Sequence, residues 1–269
     1  MLENITERIK TLPPLPKSFH EINAICANEN GTINQLAKVI ESDPMLVANL
    51  LKVANSPLYS FRREIRSVLQ AISLFGMATT RALTTDISIK KLLNVDIEPY
   101  GIIPEDFVHI SALQSRLMKE WYSKVDNSKL DILFLSALLQ ETGKILIADE
   151  IVKNDEVMPF KSEIETAVNI AQVEKSFVGT TTADVTAKIF EHWGFDETMV
   201  EAIQYADSID EAPEHIRDYS VALKVVKTAV PMNAPLSERS ITIALNLMEK
   251  EGLNEAVFAN AVEKLIENV

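Results

Sequence analysis

The chain has 269 residues, 47% of them hydrophobic and 24% charged, and carries a net charge of −13. That balance suits a globular core of one large domain or two small ones, and the acidity excludes a general binder of nucleic-acid backbones, which only a local basic patch could attract. Seven glycines and 6% aromatic residues argue against a turn-rich all-β fold, and the single cysteine, Cys26, excludes an intramolecular disulfide framework and a zinc ribbon.

No apolar run approaches the roughly 18 residues of a membrane helix. The opening MLENITERIK is charged and amphipathic, so it does not read as a signal peptide. The expectation is a cytoplasmic protein with no membrane association.

The first predicted helix covers residues 2–10 through Leu2, Ile5 and Ile9. Leu12-Pro13-Pro14-Leu15-Pro16 breaks it, because proline fixes φ and pushes its predecessor towards extended backbone. Helix resumes at about Lys17, with Phe19, Ile22, Ile25 and Cys26 on one side as inert core, and stops at Asn30-Gly31. Thr32 with Gln35 forms a capping box, and Asp43-Pro44 places an N-cap acid before a proline at the first helical position. The helix that follows, MLVANLLKVAN, is nearly all apolar and is expected to be buried, with Leu50, Leu51, Val53 and Ala54 in the core. Asn55-Ser56-Pro57 ends it; the two polar side chains either stitch the turn to backbone groups or serve binding. After an irregular stretch to Arg66, Ser67 with Gln70 forms a second capping box, and the helix it opens reaches Gly76.

A longer helix is predicted over about 78–93, then a loop over 94–103. Pro104-Glu105-Asp106 starts a helix whose apolar face carries Phe107, Ile110, Leu113, Leu117 and Trp121. Further helices are predicted near 162–173, 181–193, 197–206, 214–230, 238–250 and 255–267, with Gly194 closing the second of these after Trp193. Strand-like alternation is not found in any convincing run, so the fold class is all-α. Asp207, Asp210, Glu211, Glu214 and Asp218 read as a solvated acidic face that a basic partner could use.

The stretch Leu130–Asp149, LDILFLSALLQETGKILIAD, is the most informative. Ile132, Leu135, Leu138 and Leu139 recur at helical spacing on one face. The pattern is interrupted by Gln140-Glu141-Thr142-Gly143-Lys144 and resumes with Ile145, Leu146 and Ile147. A polar break between two apolar runs is expected to line a cleft or a helix junction, where Gln140 and Glu141 either cap a helix end or meet a ligand or partner.

Residues 12–76 resemble the N-terminal part of the HDOD family, the HD-related output domains of bacterial signalling proteins. The resemblance is carried by Leu12-Pro13-Pro14-Leu15-Pro16, Ile40, Asp43-Pro44, Leu50-Leu51, Ala54-Asn55-Ser56, Tyr59, Ile65, Ser67, Ala71-Ile72 and Gly76, in the family's order. Ser111 matches the serine of a tryptophan-x-x-serine helix, with Val108 in the tryptophan's place; Leu138-Leu139, Gly143-Lys144 and Trp193-Gly194 match further on. The likeness spans about residues 8–210. It implies an HD-like multi-helical domain with an N-terminal helical subdomain, divided at about 1–103 and 104–269.

The resemblance also says where chemistry would sit. HD phosphohydrolases gather imidazoles and carboxylates around metal ions that generate a hydroxide. Gln140 stands in the histidine slot and Glu141 in the aspartate slot, while the four histidines, His20, His109, His192 and His215, include no i, i+4 pair. His109 falls one position before Ile110, the slot of the first histidine, and one residue turns a helical side chain by about 100°. The later aspartate-histidine slot holds Thr181-Thr182, and a downstream histidine pair falls near Ala206-Asp207. This implies a protein with no catalytic residues, no metal and no cofactor: a non-catalytic signal-transduction module that binds a signalling protein or a small-molecule ligand. Gln140, Glu141, Lys144, Asn55 and Ser56 are its candidate binding residues. With no receiver, PAS-like or cyclase segment in the sequence, its input is expected from another protein or a small ligand. The alternatives are a residual metal-dependent phosphohydrolase or phosphodiesterase acting on a nucleotide, and a nucleotide sensor with Lys144 as a phosphate contact. On the binding reading Gln140–Lys144 is a surface, so exchanging the charges of Glu141 and Lys144 should abolish partner capture and leave folding intact.

Overall fold

The computed structural model describes residues 1–59, 61, 63–94 and 96–267. Among these, sixteen α-helices and short 3-10 turns make up the regular structure and no strand occurs, so the chain is all-α. It divides into two compact units, Met1–Leu12 with Val95–Ile266, and Pro13–Asn94. The larger begins with α1 (Leu2–Lys10). The smaller holds α2 (Lys17–Ala27), α3 (Ile33–Glu41), α4 (Pro44–Ala54), α5 (Val68–Phe75) and α6 (Met77–Leu93). The larger then continues through α7 (Pro104–Tyr122), α8 (Leu130–Leu139), α9 (Gly143–Lys153), α10 (Val157–Thr166) and α11 (Ile170–Val178). It ends with α12 (Thr182–His192), α13 (Glu197–Gln204), α14 (Glu214–Ala229), α15 (Glu238–Lys250) and α16 (Glu255–Glu267).

In the smaller unit the helix starts follow local chemistry. Thr32 closes a full capping box with Gln35, and Asp43 Oδ1 accepts from the backbone N–H groups of Met45 at 3.0 Å and Leu46 at 3.2 Å. The second box is only half formed: Ser67 Oγ accepts from Gln70 N, but Gln70 Oε1 accepts from Arg66 N instead of Ser67 N. Two expectations need correcting. Along α4 only Leu46, Leu50 and Ala54 are fully buried, one residue per turn, while Leu51 and Val53 are half-buried and Met45 is 54% exposed. Cys26 is half-buried on α2, its Sγ 3.9 Å from the carbonyl of Met77, and burial pushes its thiol pKa up.

In the larger unit α8 packs against α7, α13 and α14, and α9 against α1, α11 and α12. The single stripe predicted for α8 is too narrow. Leu133, Phe134, Ser136, Ala137, Leu138 and Leu139 are all buried, whereas Ile132 and Leu135 are only partly so. A helix covered on nearly every side shows little amphipathic period for a sequence reading to find. The helix predicted over 162–173 is two, α10 and α11, broken at 167–169. Asn169 caps the second by accepting from Gln172 N, a signal the apolar pattern overran.

The junction between α8 and α9 is held closely. Thr142 donates its hydroxyl to Leu139 O at 2.7 Å, and Gly143 N donates to Thr186 Oγ1 at 2.8 Å. A Cβ on Gly143 would stand 2.6 Å from Thr182 O and 2.9 Å from Thr186 N, so only glycine lets α9 begin against the backbone of α12.

Candidate functional site

The polar break forms the inside of the larger unit. Gln140, Glu141 and Lys144 are each 1% exposed, so the recognition surface expected there is not a surface. Asn55 and Ser56 belong to the smaller unit. Asn55 stitches its own turn, donating Nδ2 to Leu51 O and Ile65 O, each at 2.9 Å, while its Oδ1 accepts from Ile65 N at 2.8 Å. The structure therefore brings Gln140, Glu141 and Lys144 together in one unit and places the other two candidates elsewhere.

Lys144 stands between two carboxylates. Its Nζ lies 2.8 Å from Glu174 Oε1 and 3.1 Å from Glu141 Oε2, with Thr182 Oγ1 at 3.0 Å and the Tyr100 ring centroid at 4.8 Å. Glu174, fully buried on α11, also accepts from Tyr100 Oη at 2.9 Å and from Thr182 N at 2.6 Å. Burial, and then the Glu174 charge, hold the Tyr100 phenol well above its ordinary pKa. Ionising it would put two like charges in a dry site.

On the other side of Glu141, an α7 residue joins the site. Gln114 Nε2 donates to Glu141 Oε1 at 3.1 Å and to Val230 O at 2.9 Å. Both of those partners can only accept, which fixes the Gln114 amide so that its oxygen takes the N–H of Gln140 at 2.9 Å. Gln140 Oε1 is left buried without a partner among the described residues. Burial opposes ionisation of Glu141, but the Lys144 and Lys227 ammoniums and the Gln114 bond outweigh it, so its pKa falls below the usual carboxylate range.

Asp207 completes the set and corrects a second expectation. Its side chain is 7% exposed, so it leaves the solvated acidic run and sits between two lysines of α14, Lys227 at 2.8 Å and Lys224 at 3.0 Å. Burial would raise its pKa, yet the two ammoniums drive it well below the ordinary value; Lys227 is raised in turn by Asp207, Glu141 and Glu174 against the effect of its own burial. Beside the network opens a cavity of about 380 Å³ whose lining includes Glu141, Lys144, Asp207, Lys224 and Lys227.

The donor set does not fit a metal centre of the HD kind. Three carboxylates, Glu141, Glu174 and Asp207, are each engaged by lysine ammoniums, and the two remaining groups are the neutral amides Gln114 and Gln140. His20, His109, His192 and His215 are all exposed. A cation entering here would have to displace ammoniums already ion-paired at 2.8–3.1 Å.

Five residues of this network, Tyr100, Gln114, Glu174, Lys224 and Lys227, have no place in the sequence expectations. Gln114 lies one helical turn beyond Ile110, and it rather than position 110 meets Gln140. Its signal was a polar side chain within the apolar succession of α7.

An all-helical unit with this polar junction at its centre is an HD-like fold. The HDOD domain matches residues 12–209, and the chain belongs to the HDOD family. Among solved structures it is similar to a candidate phosphohydrolase from Shewanella amazonensis SB2B, 20% identical over 98% of this chain and 93% of the other, with a TM-score of 0.74. It is also similar to a candidate signal transduction protein from Marinobacter aquaeolei VT8, 20% identical over 99% of this chain and 62% of the other, TM-score 0.75. An uncharacterized protein of Treponema pallidum (strain Nichols) is 19% identical over 80% of this chain, which spans 41% of that relative's length. Among the described residues no helix is long and apolar enough to cross a membrane.

Proposed function

We propose that the protein is a non-catalytic regulatory module of bacterial signal transduction, working in the cytoplasm by binding a signalling protein or a small-molecule ligand. One observation carries this reading. Where an HD enzyme would place metal ions among histidines and carboxylates, this chain places the ammoniums of Lys144, Lys224 and Lys227 among Glu141, Glu174 and Asp207. Three positive charges against three negative ones make the set internally balanced. Lysine supplies charge for stability, but it offers neither an open coordination position nor a water of lowered pKa, the two things metal-assisted hydrolysis requires. In this reading Gln140, Glu141 and Lys144 shape a binding site from within, and Asn55 acts as a stitch in the smaller unit.

The test is metal analysis of the purified protein together with phosphomonoester and phosphodiester turnover in added manganese, iron or magnesium. No stoichiometric metal and no turnover above the protein-free rate are expected. Metal-dependent turnover that disappears in Asp207→Asn, with the fold retained by circular dichroism, would overturn the reading.

A further inference from the structure

We infer that the cavity beside the lysine–carboxylate network takes a small amphipathic organic anion, with its acidic head at the cations Lys224, Lys227 and Arg239 and an aliphatic body on the apolar part of the lining. This rests on the reading of the larger unit as a binding module and names what it binds. The cavity, about 380 Å³, is within the range of small-molecule sites, roughly 300–1,000 Å³. Its lining carries four cations, Lys144, Lys224, Lys227 and Arg239, against three carboxylates, Glu141, Glu165 and Asp207. Counting Glu174, which pairs with Lys144 from behind the lining, the charges are four against four, an even local balance in a chain of net charge −13.

The cations differ in how much of their bonding capacity is taken. An ammonium has three N–H donors. Two of those of Lys144 go to Glu174 and Thr182, and its charge is also paired with Glu141 at 3.1 Å, so Lys144 is committed to the network. Lys224 and Lys227 each make one bond, both to Asp207, and Arg239 makes none among the described residues. Two ammoniums thus share one carboxylate at a cavity whose lining also holds the guanidinium of Arg239, and an anion is the group that would use their remaining donors. The apolar part of the lining includes Val168, Ile170, Met232, Ile243 and Leu247. It has no aromatic ring for a nucleobase to stack on, which favours an aliphatic body over a nucleotide.

Calorimetric titration of the intact protein with octanoate, hexyl phosphate, inorganic phosphate and AMP tests this. Saturable one-to-one binding is expected for octanoate or hexyl phosphate, the tighter of the two identifying the head as carboxylate or phosphate. Inorganic phosphate and AMP should bind roughly tenfold more weakly or worse, about the worth of the missing apolar contact. Arg239 is exposed and unpaired, so Arg239→Gln should fold normally and weaken binding by roughly tenfold, the scale of one charge-assisted hydrogen bond. The inference is overturned if neither amphiphile binds, if AMP binds as tightly, or if Arg239→Gln leaves affinity unchanged; none of these touches the non-catalytic reading. Release of phosphate from bound hexyl phosphate would do the reverse, supporting the site and overturning the absence of catalysis.

Discussion

Each unit buries a carboxylate against lysine, with opposite results. In the smaller unit Asp86 and Lys90 stand one turn apart on α6, 2.8 Å from each other, with side chains 8% and 13% exposed. Burial raises the Asp86 pKa above its ordinary value, and the charge and hydrogen bond of Lys90 only moderate the rise. In the larger unit the Asp207 side chain is equally buried, at 7% exposed, but two ammoniums hold it, and its pKa is depressed. Glu141, facing Lys144 and Lys227, follows Asp207. One lysine does not offset the desolvation of a buried carboxylate here, whereas two do. In the single pair burial outweighs the lysine and disfavours the charged carboxylate. The network is a fixed arrangement of full charges.

The sharpest way to break this comparison is to remove one ammonium from each region. Lys144→Met leaves Glu141 and Glu174 facing each other in a dry site, where losing one partner of a buried pair costs about 3–5 kcal/mol. Lys90→Met should lose much less, because Asp86 can relieve the site by taking a proton. Urea denaturation of both variants measures the difference; equal losses would mean that charge count does not set the behaviour. Exchanging the charges of Glu141 and Lys144 should likewise collapse the melting curve, the reverse of what a surface position would give. A smaller effect is expected from Gly143→Ala. The added methyl presses on Thr182 O and Thr186 N, so α9 must move off α12 and carry Lys144 away from Thr182, at about 1–3 kcal/mol. A variant as stable as the parent would show that the junction is looser than its contacts imply.

Much of the fold was legible because its signals are local. Thr32, Asp43 and Pro104 mark helix starts by chemistry confined to a few residues, and α4, α7 and α14–α16 fall close to their predicted bounds. The break at 167–169 was missed because the apolar spacing runs through it and only Asn169 announces a new cap. At the site, Gln140, Glu141 and Lys144 were found because they interrupt two apolar runs. Their burial was misjudged because polarity in a sequence normally signals solvent, and only long-range pairing can satisfy it inside. The residues that satisfy it lie far off in sequence, Gln114 26 and 27 positions from Gln140 and Glu141, Glu174 30 from Lys144 and Lys227 86 from Glu141, and no local pattern links them. Asp207 shows the same limit: its neighbours in sequence are solvated acids, while its partners come from α14.

The smallest expected effect separates the two regions by sign. A carboxylate with a depressed folded pKa contributes stability that is present above its unfolded value, about 4, and is lost as pH falls through the folded value. Glu141 and Asp207 are of this kind, so the larger unit should weaken below about pH 4. Asp86 has the opposite sign: its folded pKa is raised, so its ionised form is disfavoured by folding, and that penalty disappears as pH falls through the raised value. Asp207→Asn should therefore lower stability at neutral pH and make the acid decline shallower. Asp86→Asn, which removes a poorly tolerated charge and keeps an oxygen for Lys90, should change neutral-pH stability by no more than about 0.5 kcal/mol in either direction. By the sign of its shift it should slightly widen the gap between acid and neutral pH, whereas Asp207→Asn narrows it. Urea titrations at both pH values measure the two variants side by side. If Asp86→Asn costs as much as Asp207→Asn at neutral pH, Asp86 is a fully ionised partner of Lys90, and the number of lysines around a buried carboxylate does not decide its charge.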